Sequence, residues 1–185
     1  VVEGETQIGT LNKVKASTLM TIRNTTAIYG EATGVTVDLT NGAEVDKIEY
    51  LGGSDNTGAA KVETDASKLD AGRYIVKVTA KTGDVAYGIY TVAKARPVIG
   101  LQTADVMYDS TPKAGYTSTE VTDGAMSEPY FTWAGDIAIG VNEAKEGNVD
   151  EQAPVDAGTY TVTLHVNETK NFTAHEVSAS YTVRK

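Results

Sequence analysis

The chain has 185 residues and no cysteine, which excludes a disulfide framework, a thiolate metal site and a cysteine nucleophile. Hydrophobic residues make up 41% of the chain, enough for a packed core, and the length fits one large domain or two small ones. The formal net charge of -9 argues against a nucleic-acid partner, which needs a basic surface. No apolar run is long enough for a membrane-spanning helix, so we expect no membrane insertion by this segment.

The first elements in chain order are strands separated by turn signals. Asn41-Gly42 lies between two β-like runs, 35–39 and 45–51, and this dipeptide is typical of a two-residue hairpin turn that would pair them. Residues 66–69 are the only candidate for a helical turn. Residues 1–19 precede these elements and are expected to form a linker or an added edge strand.

The longest runs alternate apolar and polar residues with a period of two, which predicts half-buried β-strands. In the second half this run is Tyr160–Val166, with valine and leucine on one face and threonine and histidine on the other. The same alternation places Phe131 and Trp133 inward and Tyr130 outward. Short strands with regular turn signals predict an all-β protein built as a sandwich.

An internal repeat indicates two copies of one fold. Asp-Ala-Gly-x-Tyr-x-Val occurs at 70–76 and again at 156–162, an offset of 86 residues. Other similar residues of the two copies are offset by 79 near the start of the copies and by 91 near their end. The sequence therefore predicts two tandem immunoglobulin-like β-sandwich domains, 1–96 and 97–185, joined near Pro97. The first domain has 11 Lys and Arg residues and 12 Asp and Glu residues, whereas the second has 5 Lys and Arg residues and 13 Asp and Glu residues. Nearly all the net negative charge therefore belongs to the second domain.

The repeated element has a physical use in a sandwich. A tyrosine that follows a tight Asp-Ala-Gly turn folds inward and anchors the crossing between sheets, as in the tyrosine corner of immunoglobulin-type sandwiches. Val76 and Val162 stand where those sandwiches carry a disulfide cysteine, so aliphatic packing is expected instead. Trp133 is the candidate aromatic of the central strand, and Tyr50 is its counterpart in the first copy.

These residues resemble bacterial surface repeats of the MBG and YDG type. The resemblance rests on the Asp-Ala-Gly-Thr-Tyr element at 156–160, on Asn171-Phe172-Thr173, on the closing Tyr181-Thr182-Val183, and on two upstream signatures. Tyr29-Gly30 fits the Tyr-Gly signature. Tyr108-Asp109-Ser110 fits the Tyr-Asp-Gly signature except that Ser110 replaces the glycine. The resemblance implies an immunoglobulin-like module in a surface array, with a structural or adhesive role, a secreted or cell-surface location and no catalytic residues.

The acidic residues and histidines are the candidates for catalysis or metal binding, but their pattern does not favour either. The acidic residues lie mostly in turns or on outward strand positions, and no hydrolase or phosphate-binding motif is present, so we expect no enzyme and no cofactor. The acidic run 143–156 could supply oxygen ligands for calcium, but it lacks the Asp-x-Asp spacing of such loops. His165, expected to be exposed, and His175, just before the last strand, are ten residues apart, which argues against a metal site.

Exposed aromatic rings offer the alternative function, carbohydrate binding, because sugars stack on such rings. Tyr130 is predicted on an outward strand face, and Tyr116 and Phe172 in loops, so these three form the candidate ligand surface. The chain opens with Val-Val instead of methionine, and we expect a fragment of a longer chain. Its expected partners are other domains of that chain and a host or glycan ligand.

Overall fold

The computed structural model describes residues 18–52, 62–122, 129–135, 142–143 and 153–185. These residues form fourteen β-strands and one short 3-10 turn. The first seven strands are β1 (Met20–Arg23), β2 (Thr26–Ile28), β3 (Thr36–Leu39), β4 (Val45–Leu51), β5 (Val62–Glu63), β6 (Gly72–Ala80) and β7 (Val85–Ala93). The other seven are β8 (Ile99–Thr103), β9 (Val106–Met107), β10 (Tyr116–Val121), β11 (Tyr130–Gly135), β12 (Asn142–Glu143), β13 (Gly158–Val166) and β14 (His175–Arg184).

The strands fall into two units with one topology. In the first unit, β1–β7, a five-stranded sheet has the order β2-β7-β6-β4-β5 and a two-stranded sheet pairs β1 with β3. In the second unit, β8–β14, the order is β12-β11-β13-β14-β9 and β8 pairs with β10. Counting strands from the start of each unit gives the same pairings in both. The predicted fold class, two tandem immunoglobulin-like β-sandwiches, is therefore confirmed.

Each unit has its own core between its two sheets. The inward positions of β6 and β13, which include Val76 and Val162, are fully buried. The register places Tyr50 opposite Val76 and Trp133 opposite Val162, so the predicted central aromatics occupy equivalent positions. Aliphatic and aromatic side chains thus fill the place of an intersheet disulfide.

Both predicted tyrosine corners are present. The Tyr74 hydroxyl donates a hydrogen bond of 2.8 Å to the backbone carbonyl of Asp70. The Tyr160 hydroxyl makes the same bond, 2.9 Å long, to the carbonyl of Asp156. Both rings are buried, so each bond satisfies a hydroxyl that has left water.

The predicted hairpin around Asn41-Gly42 is wrong in its pairing. Both residues have positive φ, 60° and 66°, as a tight turn of this type requires, and the Ala43 N–H donates to the Thr40 carbonyl. However, β3 pairs with β1 and β4 pairs with β6, so the turn carries the chain from one sheet to the other. The predicted single helical turn is confirmed at Ala66–Lys68, where the Asp65 carboxylate accepts from the Ser67 N–H.

Candidate interaction site between the two units

The loop between β13 and β14, residues 167–174, is twice as long as its counterpart between β6 and β7, residues 81–84. The four extra residues account for most of the last increase in the repeat offset, from 86 to 91. The longer loop contacts the first unit at the end where β7 finishes and the chain continues to β8. We call residues 167–174 the docking loop.

Asn171 of the docking loop binds the tyrosine corner of the first unit. Its side-chain oxygen accepts from the Ala71 backbone N–H at 2.8 Å, and its side-chain nitrogen donates to the Asp70 carboxylate at 2.9 Å. Both ends of the amide are therefore used, and both bonds are partly buried. An asparagine that is satisfied at both ends fixes orientation as well as distance.

The backbone of the docking loop also pairs with the connection between the units. The Ala95 N–H donates to the Asn171 carbonyl at 2.9 Å, and the Thr173 N–H donates to the Ala95 carbonyl at 2.9 Å. Together they make an isolated parallel bridge between Ala95 and Phe172. The connection is thus held by the second unit within two residues of the end of β7.

Phe172 supplies the apolar part of the contact. Its residue surface is only 8% exposed, and its ring meets the Tyr29 ring edge-on, with centroids 5.5 Å apart and an interplanar angle of 78°. Edge-to-face aromatic pairs add about 1 kcal/mol beyond the area that they bury. The contact lies beside the end of β2, because Tyr29 follows that strand directly.

Ion pairs surround this centre. Lys94 pairs with Glu168 and also donates to the Thr169 carbonyl at 2.7 Å, and Lys170 pairs with Asp70 at 2.7 Å. The charged groups are partly exposed, and exposed pairs contribute about 0–1 kcal/mol each. The partly buried Asn171 bonds and the buried Phe172 ring therefore dominate the interaction.

Arg96 and His175 complete the junction. The Arg96 guanidinium lies 2.8 Å from His175 Nε2, a geometry in which the imidazole nitrogen accepts. His175, predicted to precede the last strand, is in fact the first residue of β14.

Two of the three predicted ligand-surface aromatics differ from the prediction, Phe172 in its exposure and Tyr116 in its position. Phe172 is buried in the junction because Tyr29 covers it, so it offers no exposed ring. Tyr116 begins β10 and is not in a loop, and its ring stacks on Phe131 with centroids 4.4 Å apart. The stacking follows from Phe131 pointing inward, because Tyr116 packs against the same core.

Tyr130 lies on the outer side of β11, as the alternation predicts. Its ring stacks on the His165 imidazole, with centroids 4.7 Å apart, beside a shallow surface depression of about 340 Å³. His165 was expected to be exposed, but its side chain is only 20% exposed. The Tyr130 ring covers it, and its two nitrogens lie within 2.8 Å of the Thr132 hydroxyl and 3.2 Å of the Glu176 carboxylate.

Within the described ranges, no three histidine or acidic side chains converge as metal ligands would. Most of the acidic run 143–156, the candidate calcium site, lies outside those ranges. The described part of the chain also contains no helix long and apolar enough to cross a membrane.

Comparison with known proteins adds little to this geometry. No protein-family model matches the chain, and no curated protein is significantly similar to it in sequence. Among solved structures, the chain is similar to the fibronectin(III)-like modules of Clostridium thermocellum CbhA at 16% identity. That match covers 90% of this chain and 94% of the other, with a TM-score of 0.34. At that score the likeness carries no argument about the site or its partner.

Proposed function

We propose that the chain is a non-catalytic structural or adhesion module of a bacterial secreted or cell-surface protein. Its two β-sandwich domains, 1–96 and 97–185, act as a spacer that holds neighbouring domains at a set distance. The observation that carries this proposal is the junction, in which Asn171 and Phe172 of the second unit are fitted to the corner and to Tyr29 of the first.

The junction supports a spacer because it restricts the angle between the units. A flexible connection would leave the residues between β7 and β8 in water, whereas here Ala95 is bonded through both its N–H and its carbonyl. Polar contacts to the side chains of Asp70 and Lys94 surround that bridge. Two sandwiches joined in this way keep their distance without further partners.

The backbone at the two upstream signatures supports the resemblance to MBG and YDG repeats. Gly30 has a φ of 84°, and Ser110, which stands in place of the signature glycine, has a φ of 67°. Glycine is the residue that adopts such angles without strain, so a glycine in the signature has a local reason in both copies. A surface array of such modules would place this chain outside the cell.

Distance measurements between the units test the spacer role. Because the chain has no cysteine, Thr36→Cys and Thr119→Cys give one exposed spin-label site on each unit. We expect a narrow distance distribution in this labelled chain, because Asn171 and Phe172 fix the junction. Replacing both by alanine should broaden the distribution roughly twofold, toward that of a short flexible linker.

Asn167→Ala is the matched control, since Asn167 is an exposed asparagine of the same loop. It should leave the distribution narrow. A distribution that is already broad in the labelled chain, or that the double replacement leaves unchanged, would contradict the spacer role.

A carbohydrate-binding module is the second candidate, and the depression beside Tyr130 is the observation that favours it. Its lining includes Tyr130, Asn167 and Glu176, which combine an aromatic ring with hydrogen-bonding groups. A glycan array tests the idea. Saturable binding that is lost in Tyr130→Ala and kept in Tyr87→Ala, an exposed tyrosine elsewhere, would establish it, and silence across the array would reject it.

A further inference from the structure

The surface that receives the docking loop occurs twice in the chain. On the first unit it consists of Tyr29, Asp70, Ala71 and Lys94. The shared topology gives the counterparts on the second unit, which are Tyr108, Asp156, Ala157 and Lys185. The four pairs are identical in residue type.

Backbone bonds support this correspondence. Tyr29 donates its N–H to the Ala93 carbonyl at 2.8 Å, and Tyr108 donates its N–H to the Arg184 carbonyl at 2.8 Å. In each unit, this tyrosine is the residue directly after the short strand that pairs in parallel with the unit's last strand. The aspartate and alanine belong to the two tyrosine corners described above. We call the surface on the second unit the distal surface.

The distal surface is uncovered where the first is covered. Tyr108 is 45% exposed whereas Tyr29 is half-buried, and Ala157 is half-buried whereas Ala71 is buried. Val155, which precedes the second corner, is also exposed. Within the described part of the chain, the Asp156 carboxylate has no hydrogen-bond or ion-pair partner, while that of Asp70 binds Asn171 and Lys170.

We infer that the distal surface is a docking site for a further β-sandwich module that carries a loop like 167–174. The asparagine of that loop would bind the Ala157 N–H and the Asp156 carboxylate, its aromatic ring would pack on Tyr108, and its acidic residue would pair with Lys185. This inference rests on the proposed spacer function and extends it from one junction to a series.

The occupant is a copy of the second unit rather than of the first. The corresponding turn of the first unit, Lys81–Asp84, is half as long and has neither an asparagine nor an aromatic residue. A separate copy of the whole chain is a poor occupant as well, because its docking loop already lies on its own first unit. Covalent connection also favours the contact, since it gives a small interface a high effective concentration.

The full chain, extended by a second copy of residues 95–185 directly after Lys185, tests the inference. Lys185 corresponds to Lys94, so the added copy begins with the residue that follows Lys94 at the existing junction. Spin labels at Thr119→Cys and at the same position of the added copy report the new junction. We expect a distance distribution as narrow as that of the first junction, measured in the same extended chain.

Tyr108→Ala combined with Asp156→Ala should broaden the new distribution roughly twofold and leave the first junction unchanged. The tyrosine corner should survive, because Tyr160 binds the Asp156 carbonyl and not its side chain. Tyr87→Ala combined with Asp46→Ala, which removes an exposed tyrosine and an exposed aspartate elsewhere, is the matched control and should change neither distribution.

The outcomes separate the two proposals. A narrow first junction with a broad second one overturns the inference and leaves the spacer role standing. Two broad junctions overturn both. A narrow second junction that the Tyr108 and Asp156 replacements do not affect would show that another surface holds it, which also overturns the inference.

Discussion

At the scale of single residues, one glycine in each unit allows the loop before the core to close over the aromatic rings. Gly34 and Gly115 both have positive φ, 85° and 74°, and a Cβ atom at either would overlap a tyrosine. At Gly34 that atom would lie 2.5 Å from the Tyr50 hydroxyl oxygen, and at Gly115 it would lie against the Tyr181 ring. The two glycines lie at similar places, just before β3 and just before β10, and each is specified by a contact as well as by its backbone angle.

We expect Gly115→Ala to lower the free energy of unfolding by about 3 kcal/mol. Left-handed backbone costs an alanine about 1–2 kcal/mol, and overpacking against Tyr181 adds about 1–3 kcal/mol. Gly42→Ala is the control, because Gly42 also has positive φ but has open space around it. It should cost only the backbone part, about 1 kcal/mol. Urea denaturation measures both, and equal losses would show that the contact with Tyr181 has no effect.

The tyrosine-corner hydroxyls give a second prediction at this scale. Tyr160→Phe keeps the ring and removes the bond to the Asp156 carbonyl, so we expect a loss of about 1 kcal/mol in the free energy of unfolding. Tyr87→Phe, at an exposed tyrosine, should change it by less than about 0.5 kcal/mol. Chemical denaturation of the two variants decides, and no loss for Tyr160→Phe would mean that water replaces the bond.

These residues differ in how far the sequence reveals them. The corners were predictable because the tyrosine, the turn and the accepting carbonyl lie within five consecutive residues. The sequence does not reveal Gly34 and Gly115, because the tyrosines that require them lie 16 and 66 residues further along the chain. A glycine that is required by a ring far away along the chain leaves no local sequence pattern.

At the scale of elements, the outer faces of the two large sheets differ in polarity. In the first unit, Val62, Leu51, Ile75 and Ile89 are adjacent across four strands and form an apolar row on the outer face. In the second unit the corresponding strands β13 and β14 carry threonine and serine, with hydroxyl contacts such as Thr163 to Ser178 at 2.8 Å. One topology thus accommodates two different surfaces.

We expect Ile75→Thr combined with Ile89→Ser to reduce exposed apolar surface at little cost in stability. The two residues are 53% and 49% exposed, so they contribute little to the core. Retention on a hydrophobic interaction column should fall, while the free energy of unfolding should change by less than about 1 kcal/mol. A larger loss would mean that the row stabilises the sheet itself.

The predictions for elements held where the pattern was local and failed where it was not. Alternation identified β6 and β13 and their inward faces, because a strand repeats every two residues. The Asn41-Gly42 dipeptide identified the turn but not the partners of β3 and β4. Those depend on which sheet each strand joins, and the packing of the whole sandwich decides that.

At the scale of the whole molecule, the junction joins two units of unequal charge. The growing repeat offset indicates extra loop residues throughout the second copy and does not point to the docking loop in particular. What the sequence did not reveal was its use, since Asn171 meets Asp70 and Ala71 across a separation of about 100 residues. For the same reason the sequence predicts an exposed ring at Phe172, whereas the ring is buried.

Salt distinguishes the ion pairs of the junction from its core. Raising the NaCl concentration from about 0.1 M to about 1 M shortens the Debye length from about 10 Å to about 3 Å and weakens exposed pairs such as Lys94–Glu168. We expect the distance distribution between Thr36→Cys and Thr119→Cys to stay narrow, because Asn171 and Phe172 are uncharged. Broadening with salt would show that the ion pairs hold the junction.

The parallel pairing of β2 with β7, and of β9 with β14, has a mechanical consequence. In each unit it joins a strand near the start of that unit to the unit's last strand, through bonds such as Thr91 N–H to the Thr25 carbonyl at 2.9 Å. When the two ends of a unit are pulled apart, these neighbours must slide past each other. Their hydrogen bonds are then loaded together rather than one after another. The resistance of a stretched module would therefore lie in these short ladders, and the rate at which they rupture would set its lifetime under tension.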